Sequence, residues 1–199
     1  MRGTMNFAVV LALWATVTPS STRAQDCNWC GMQDAPENPP WSIQIASEDE
    51  SGERLVVTGT VYEEDGSTPA EGVLIYVYHT NDEGVYPKRG DEQDNARYHG
   101  YLRGWMRTDA QGRYRFETTR PAPYHTHGGE PAHIHYTVQA PGREEYWLNA
   151  AWFSDDPRVN AEYLAGLERV GGFTNVIDVS QDASDTWHGR RDIILATYD

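Results

Sequence analysis

The 199-residue sequence has little cysteine, no basic cluster and no long apolar run. Two cysteines cannot build a disulfide scaffold, and a chain of this length buries a core without one. Sixteen Lys and Arg stand against thirty Asp and Glu, a formal net charge of −14. An acidic surface repels phosphate backbones, which argues against nucleic acid as a partner. The apolar stretch at residues 7–17 is too short to cross about 30 Å of hydrocarbon as a helix. Internal repeats and low-complexity tracts are also missing, so one domain is expected.

What is present begins with a layered N-terminus. Residues 1–6 carry Arg2 and no acid, the apolar stretch follows, and small polar residues fill 18–24. This is the layout of a secretory signal, with a cut expected near Ala24/Gln25. Its loss would remove Arg2 and Arg23 and take the formal charge from −14 to −16. The expected product is exported, to a periplasm or beyond, and not tied to a membrane. Cys27-Asn28-Trp29-Cys30 lacks the βαβ surroundings of a redox-active pair. In an oxidising compartment it reads as a small local disulfide. It sits in an irregular arm, residues 25–40, ahead of a single domain at 41–199.

That domain reads as mainly β. Residues 42–46 alternate, and 54–62 are β-branched and strand-like. Residues 73–78 look like a buried strand, 112–118 and 133–138 alternate, and 145–153 form an aromatic-rich strand candidate. A last strand is expected at 192–198. Residues 157–170 carry Val159, Tyr163, Leu164, Leu167 and Val170 at helical spacing, with Asp155-Asp156-Pro157 as a start and Gly171-Gly172 as a stop. Many short strands with one short helix imply an antiparallel β-sandwich or barrel. Residues 80–107 form a long irregular stretch of the kind that is usually functional when ordered. Thr108–Gly112 reads as a turn into the next strand.

His133-Ile134-His135 carries the clearest chemistry. Side chains at i and i+2 of a strand share a face, so two imidazoles stand at a spacing one metal ion can bridge. Tyr124 lies nine residues earlier behind Pro121 and Pro123, which stiffen the backbone. Tyr86 lies in the long loop. A bound trication lowers a phenol's pKa of about 10. Two tyrosinates with two neutral imidazoles form a hard anionic set that suits Fe³⁺ better than Zn²⁺ or Cu⁺. A rival is a histidine-only Cu or Zn site built from His125, His127, His133 and His135. Another is a non-catalytic exported sandwich that binds metal, aromatics or a partner.

Three stretches, in order, resemble the intradiol ring-cleavage dioxygenases, the family of catechol 1,2- and protocatechuate 3,4-dioxygenases. They are residues 73–81 leading to Tyr86, residues 107–118 leading to Tyr124, and Pro131-Ala132-His133-Ile134-His135. The resemblance implies an intradiol-type β-sandwich with long loops and non-haem Fe(III) held by Tyr86, Tyr124, His133 and His135. It implies an oxidoreductase of aromatic catabolism that cleaves a catechol between its hydroxyl-bearing carbons and incorporates both atoms of O₂. Tyr124 would be the ligand displaced by substrate and its base. His125, His127, Glu130 and Arg107 are expected around the site. Glu130 stands where members that cleave simple catechols usually carry an Arg. The interval from Tyr124 to His133 is short, which points to a smaller, more open site. A homo-oligomer is left open.

Overall fold

The structure is a computed structural model that describes residues 30–125, 129–166 and 175–196. Twelve strands form two packed sheets: β1 (Ser42–Gln44), β2 (Arg54–Tyr62), β3 (Leu74–His79), β4 (Arg103–Arg107), β5 (Arg113–Thr119), β6 (His133–Gln139), β7 (Tyr146–Trp147), β8 (Ala151–Phe153), β9 (Val176–Ile177), β10 (Val179–Gln181), β11 (Trp187–Arg190) and β12 (Ile193–Ile194). The first sheet runs β1-β5-β2-β11-β10, with β12 also on β2; the second runs β4-β3-β6-β8-β9, with β7 on β6. Among the described residues two short α-helices, α1 (Ala96–His99) and α2 (Ala161–Ala165), and a 3-10 turn at Met32–Asp34 lie outside the sheets.

The sandwich forms because alternate residues of each strand are apolar. Leu55, Val57 and Val61 of β2 and Tyr114 and Phe116 of β5 meet Ile75 and Val77 of β3, Met106 of β4 and Ile134, Tyr136 and Val138 of β6 in one core. Gly59 interrupts the β2 series for a steric reason: a Cβ there would lie 1.8 Å from the Arg191 carbonyl oxygen. Arg191 is itself buried, its guanidinium 4.1 Å above the Tyr136 ring, and Tyr114 Oη–H donates to its carbonyl at 2.7 Å. His79 bridges the sheets, with Nδ1–H donated to Thr80 O and Nε2 paired to Thr118 Oγ1, both at 2.7 Å.

The β-sandwich matches the expectation, and β2 spans the anticipated residues. The details differ in instructive ways. The sheets are mixed: β1–β5, β2–β11, β2–β12 and β8–β9 are parallel pairs. Residues 145–153 divide into β7 and β8. The long stretch at 80–107 contains α1 and all of β4, which pairs antiparallel with β3. Asp155-Asp156-Pro157 does not start the helix. α2 begins at Ala161, capped by Asn160 Oδ1 accepting from Tyr163 N at 3.0 Å, while Asp156 accepts from Ala132 N and Arg158 N. The expected helix end at 167–172, residues 197–198 of the last strand and the signal at 1–24 lie outside the described residues.

The arm ends in a strap, residues 30–34, laid on the outer face of the second sheet. Cys30 is disulfide-bonded, as expected of the local pair, and Cys27 lies outside the described residues. The Glu145 carboxylate accepts Gly31 N–H at 2.9 Å and Met32 N–H at 3.2 Å. Trp105 Nε1–H donates to Gly31 O at 2.8 Å, and Arg103 pairs with Asp34 at 3.0 Å. No helix among the described residues is long and apolar enough to cross a membrane.

Candidate metal centre

Strand pleating sends Tyr76 and Tyr78 of β3 and His133 and His135 of β6 to the outer face, opposite the core residues between them. Register then sets the neighbours: Tyr78 lies opposite His135, and His133 opposite Trp152 of β8. Tyr78 stacks on His135 with ring centroids 4.5 Å apart and planes 14° from parallel.

Two loops bring in the phenols. Gly84, at φ +75°, lets its loop press against residues 123–125, where a Cβ would sit 2.0 Å from Pro123 O. The loops are then laced together: His125 N–H to Gly84 O at 3.1 Å, Ala122 N–H to Asn81 O at 2.9 Å and Thr80 Oγ1–H to Ala122 O at 2.7 Å. Asn81 Oδ1 accepts from Glu83 N and Val85 N and fixes the turn that delivers Tyr86. Tyr101 N–H, bonded to Pro87 O at 3.0 Å, ties the far side of that loop.

The result is a tight cluster. Tyr86 and Tyr124 hydroxyls are 2.6 Å apart, and either can donate. Tyr124 Oη lies 2.9 Å from His135 Nε2 and 3.1 Å from His133 Nε2, and the two Nε2 atoms are 3.1 Å apart. His133 Nδ1 lies 2.7 Å from Pro131 O. A carbonyl only accepts, so Nδ1 carries the proton and Nε2 turns a lone pair into the cluster.

Burial sets the charge states. It pushes both imidazoles down, His135 well below the ordinary value with further help from His133, His99 and His79, and keeps them neutral. It pushes both phenols up, Tyr86 also through Tyr124, and Tyr124 also through Glu130. Without a cation the four neutral groups are hydrogen-bonded to one another. A multivalent cation among them would accept both lone pairs and favour both phenolates. The donor set therefore fits a hard, highly charged ion.

The surrounding residues divide. Glu130 stands beside the cluster and accepts from Tyr163 Oη–H at 2.7 Å. His125 is exposed and contributes its backbone to Gly84; His127 lies outside the described residues. Among the described residues no group of three His, Cys, Asp or Glu could by itself hold a metal. Arg107 lies opposite Leu74, four residues (about 13 Å of backbone) along β3 from Tyr78, and its guanidinium donates to Gly72 O at 3.0 Å. The sequence reading also missed His99. It stacks on Tyr78 at 3.7 Å and 9°, with Nδ1 2.7 Å from Tyr76 Oη, forming a third layer behind His135. No local signal marks it, because it lies on α1 and its partners come from β3.

Residues 33–195 match a protein-family model described as Dioxygenase. The chain is 35% identical to the protocatechuate 3,4-dioxygenase beta chain of Burkholderia cepacia over 53% of its own length and 47% of that protein's. It is 31% identical to the hydroxyquinol 1,2-dioxygenase of Rhizobium sp. (strain MTP-10005) over 75% and 54%. It thus spans about half the length of these curated relatives. Among solved structures, the dioxygenase domain of a dioxygenase carbohydrate-binding fusion from Streptomyces sp. SirexAA-E is similar at TM-score 0.61 and 26% identity, covering 82% of this chain and 92% of that one. Catechol 1,2-dioxygenase from Acinetobacter sp. ADP1 shares the fold at TM-score 0.63 and 22% identity, covering 83% and 59%. With nearly the whole sandwich matched in sequence and in fold, the chain belongs to the intradiol ring-cleavage dioxygenase family.

Proposed function

We propose that this protein is an exported, non-haem Fe(III) intradiol dioxygenase. It cleaves a catechol-type ring between its two hydroxyl-bearing carbons, and both atoms of O₂ end in a muconate-type diacid. One observation carries the reading: the oxygens of Tyr86 and Tyr124 and the Nε2 atoms of His133 and His135 converge, with neighbouring donors 2.6–3.1 Å apart. Fe³⁺ held by these four would supply the Lewis acidity that binds both catechol oxygens and makes the ring reactive toward O₂.

The protein's own residues do the rest. Tyr124 is the shared neighbour of the other three donors, so it is the phenol whose departure opens room for substrate. Once displaced, its oxygen is the base for a catechol proton. Tyr86 stays and supplies negative charge. Pro131 O keeps the His133 lone pair aimed, and the Tyr78 ring fixes the plane of His135.

The test is an anaerobic visible spectrum of the Fe³⁺-loaded protein, titrated with a catechol panel. The expected result is a tyrosinate-to-iron band that moves with catechol and recovers after O₂ is admitted, and that weakens in Tyr124→Phe. A colourless protein that retains Zn or Cu overturns the reading.

A further inference from the structure

The charges around the cluster are unevenly matched. Arg120 pairs with Asp155 and stacks on Trp187, Arg158 faces Asp156 at 3.7 Å, and Arg103 is bound to Asp34. Glu130 differs. Its partner among the described residues is the neutral hydroxyl of Tyr163, at 2.7 Å. Tyr163 is held in turn against Trp152, ring centroids 5.7 Å apart, on the strand that pairs with His133. Pro131 follows Glu130 and bonds His133 through its carbonyl, and Ala132 N–H is fixed by Asp156 Oδ2 at 3.1 Å. The carboxylate is therefore tethered by its own backbone beside the donor cluster.

Its field reaches two of the four donors. Among the described residues, the Glu130 charge acts on both Tyr124 and His133.

We propose that Glu130 is a specificity-determining residue that fits the site to catechols bearing a cationic substituent, such as an aminoalkyl chain, and turns away those bearing a carboxylate. This rests on the reading of the cluster as a catechol-binding ferric centre. A substrate that displaces Tyr124 brings its ring substituent into the field of this carboxylate. At an effective dielectric constant of about 20, unit charges as far as about 12 Å apart still change an equilibrium roughly tenfold. The net charge of −14 draws cations toward the protein and repels anions in the same sense.

The experiment compares three catechols of one size: 4-(2-aminoethyl)catechol, 4-ethylcatechol and 3-(3,4-dihydroxyphenyl)propionate. Each is titrated anaerobically into the Fe³⁺-loaded protein, and Kd is read from the visible band. The expected ranking is cation over neutral over anion, about tenfold per step, shrinking as ionic strength rises. In Glu130→Gln the ranking collapses toward unity, and the neutral catechol reports any general damage. Equal affinities in the unaltered protein, or a ranking that survives Glu130→Gln, overturn the proposal while leaving the ferric centre standing. A band that no catechol moves overturns the ferric catechol site itself, and this proposal with it.

Discussion

The two faces of the β4-β3-β6-β8 sheet are built from alternating residues of the same strands, yet they obey different rules. On the inner face Ile75, Val77, Ile134 and Val138 pack against the other sheet, and shape governs. On the outer face Tyr76, Tyr78, His133 and His135 meet rings and polar atoms at fixed distances, and direction governs. One residue's step along β6 thus separates stability from chemistry.

The sharpest way to break this comparison is to mutate adjacent positions of that strand. Ile134→Ala is expected to lower the stability of the metal-free protein by about 3–4 kcal/mol, read from urea midpoints. His135→Ala is expected to cost no more than about half of that, because the group it removes is a buried polar ring outside the hydrophobic core, and to abolish the iron band. Equal losses of stability at both positions would erase the distinction.

His79, which joins the two sheets by reaching across to Thr118, gives the next largest effect. Burial lowers its pKa from 6.5 to about 4. Between those values the unfolded chain binds a proton that the folded chain refuses, so stability falls as pH drops from 6.5 to about 4 and levels off below. The full loss is about 3 kcal/mol. Urea midpoints of the metal-free protein against pH check it, and His79→Gln should remove that share of the slope, leaving the share of His133 and His135, whose pKa burial also lowers.

A smaller effect tests the strap on the outer face. A Cβ on Gly31 would fall 2.0 Å from the Tyr76 ring. Gly31→Ala is expected to cost about 1–3 kcal/mol of strain or to release the strap, which limited proteolysis near residue 31 would detect. The smallest concerns Arg107, also on the outer face but at its far end. Arg107→Ala should leave catechol Kd unchanged, and a rise of tenfold or more would return it to the site.

Much of this was legible beforehand. The β-branched run at 54–62 and the His-x-His of β6 announce strands and a shared face through period-two patterning alone. The order of Tyr86, Tyr124, His133 and His135 pointed to the family before any contact was visible. Other parts were unreadable for physical reasons. Arg103-Gly104-Trp105-Met106-Arg107 has no β-branched residue and becomes a strand only through β3. The parallel pairings depend on distant crossovers that no local pattern encodes. Asn160 outcompeted Asp155 and Asp156 as a helix cap because both acids already bind elsewhere: Asp155 to Arg120, and Asp156 to the Ala132 and Arg158 backbone. His99 has its role only because β3 presents Tyr76 and Tyr78 to it.

The strap has a consequence in time. Gly31 is separated from Glu145, which anchors it, by 114 residues. During synthesis, at about 5–20 residues per second, the strap leaves the ribosome at least several seconds before its dock exists. Its docking therefore waits for Trp105, Arg103 and Glu145 to be brought together by β3, β4 and β6. The outer face is finished from the oldest part of the chain.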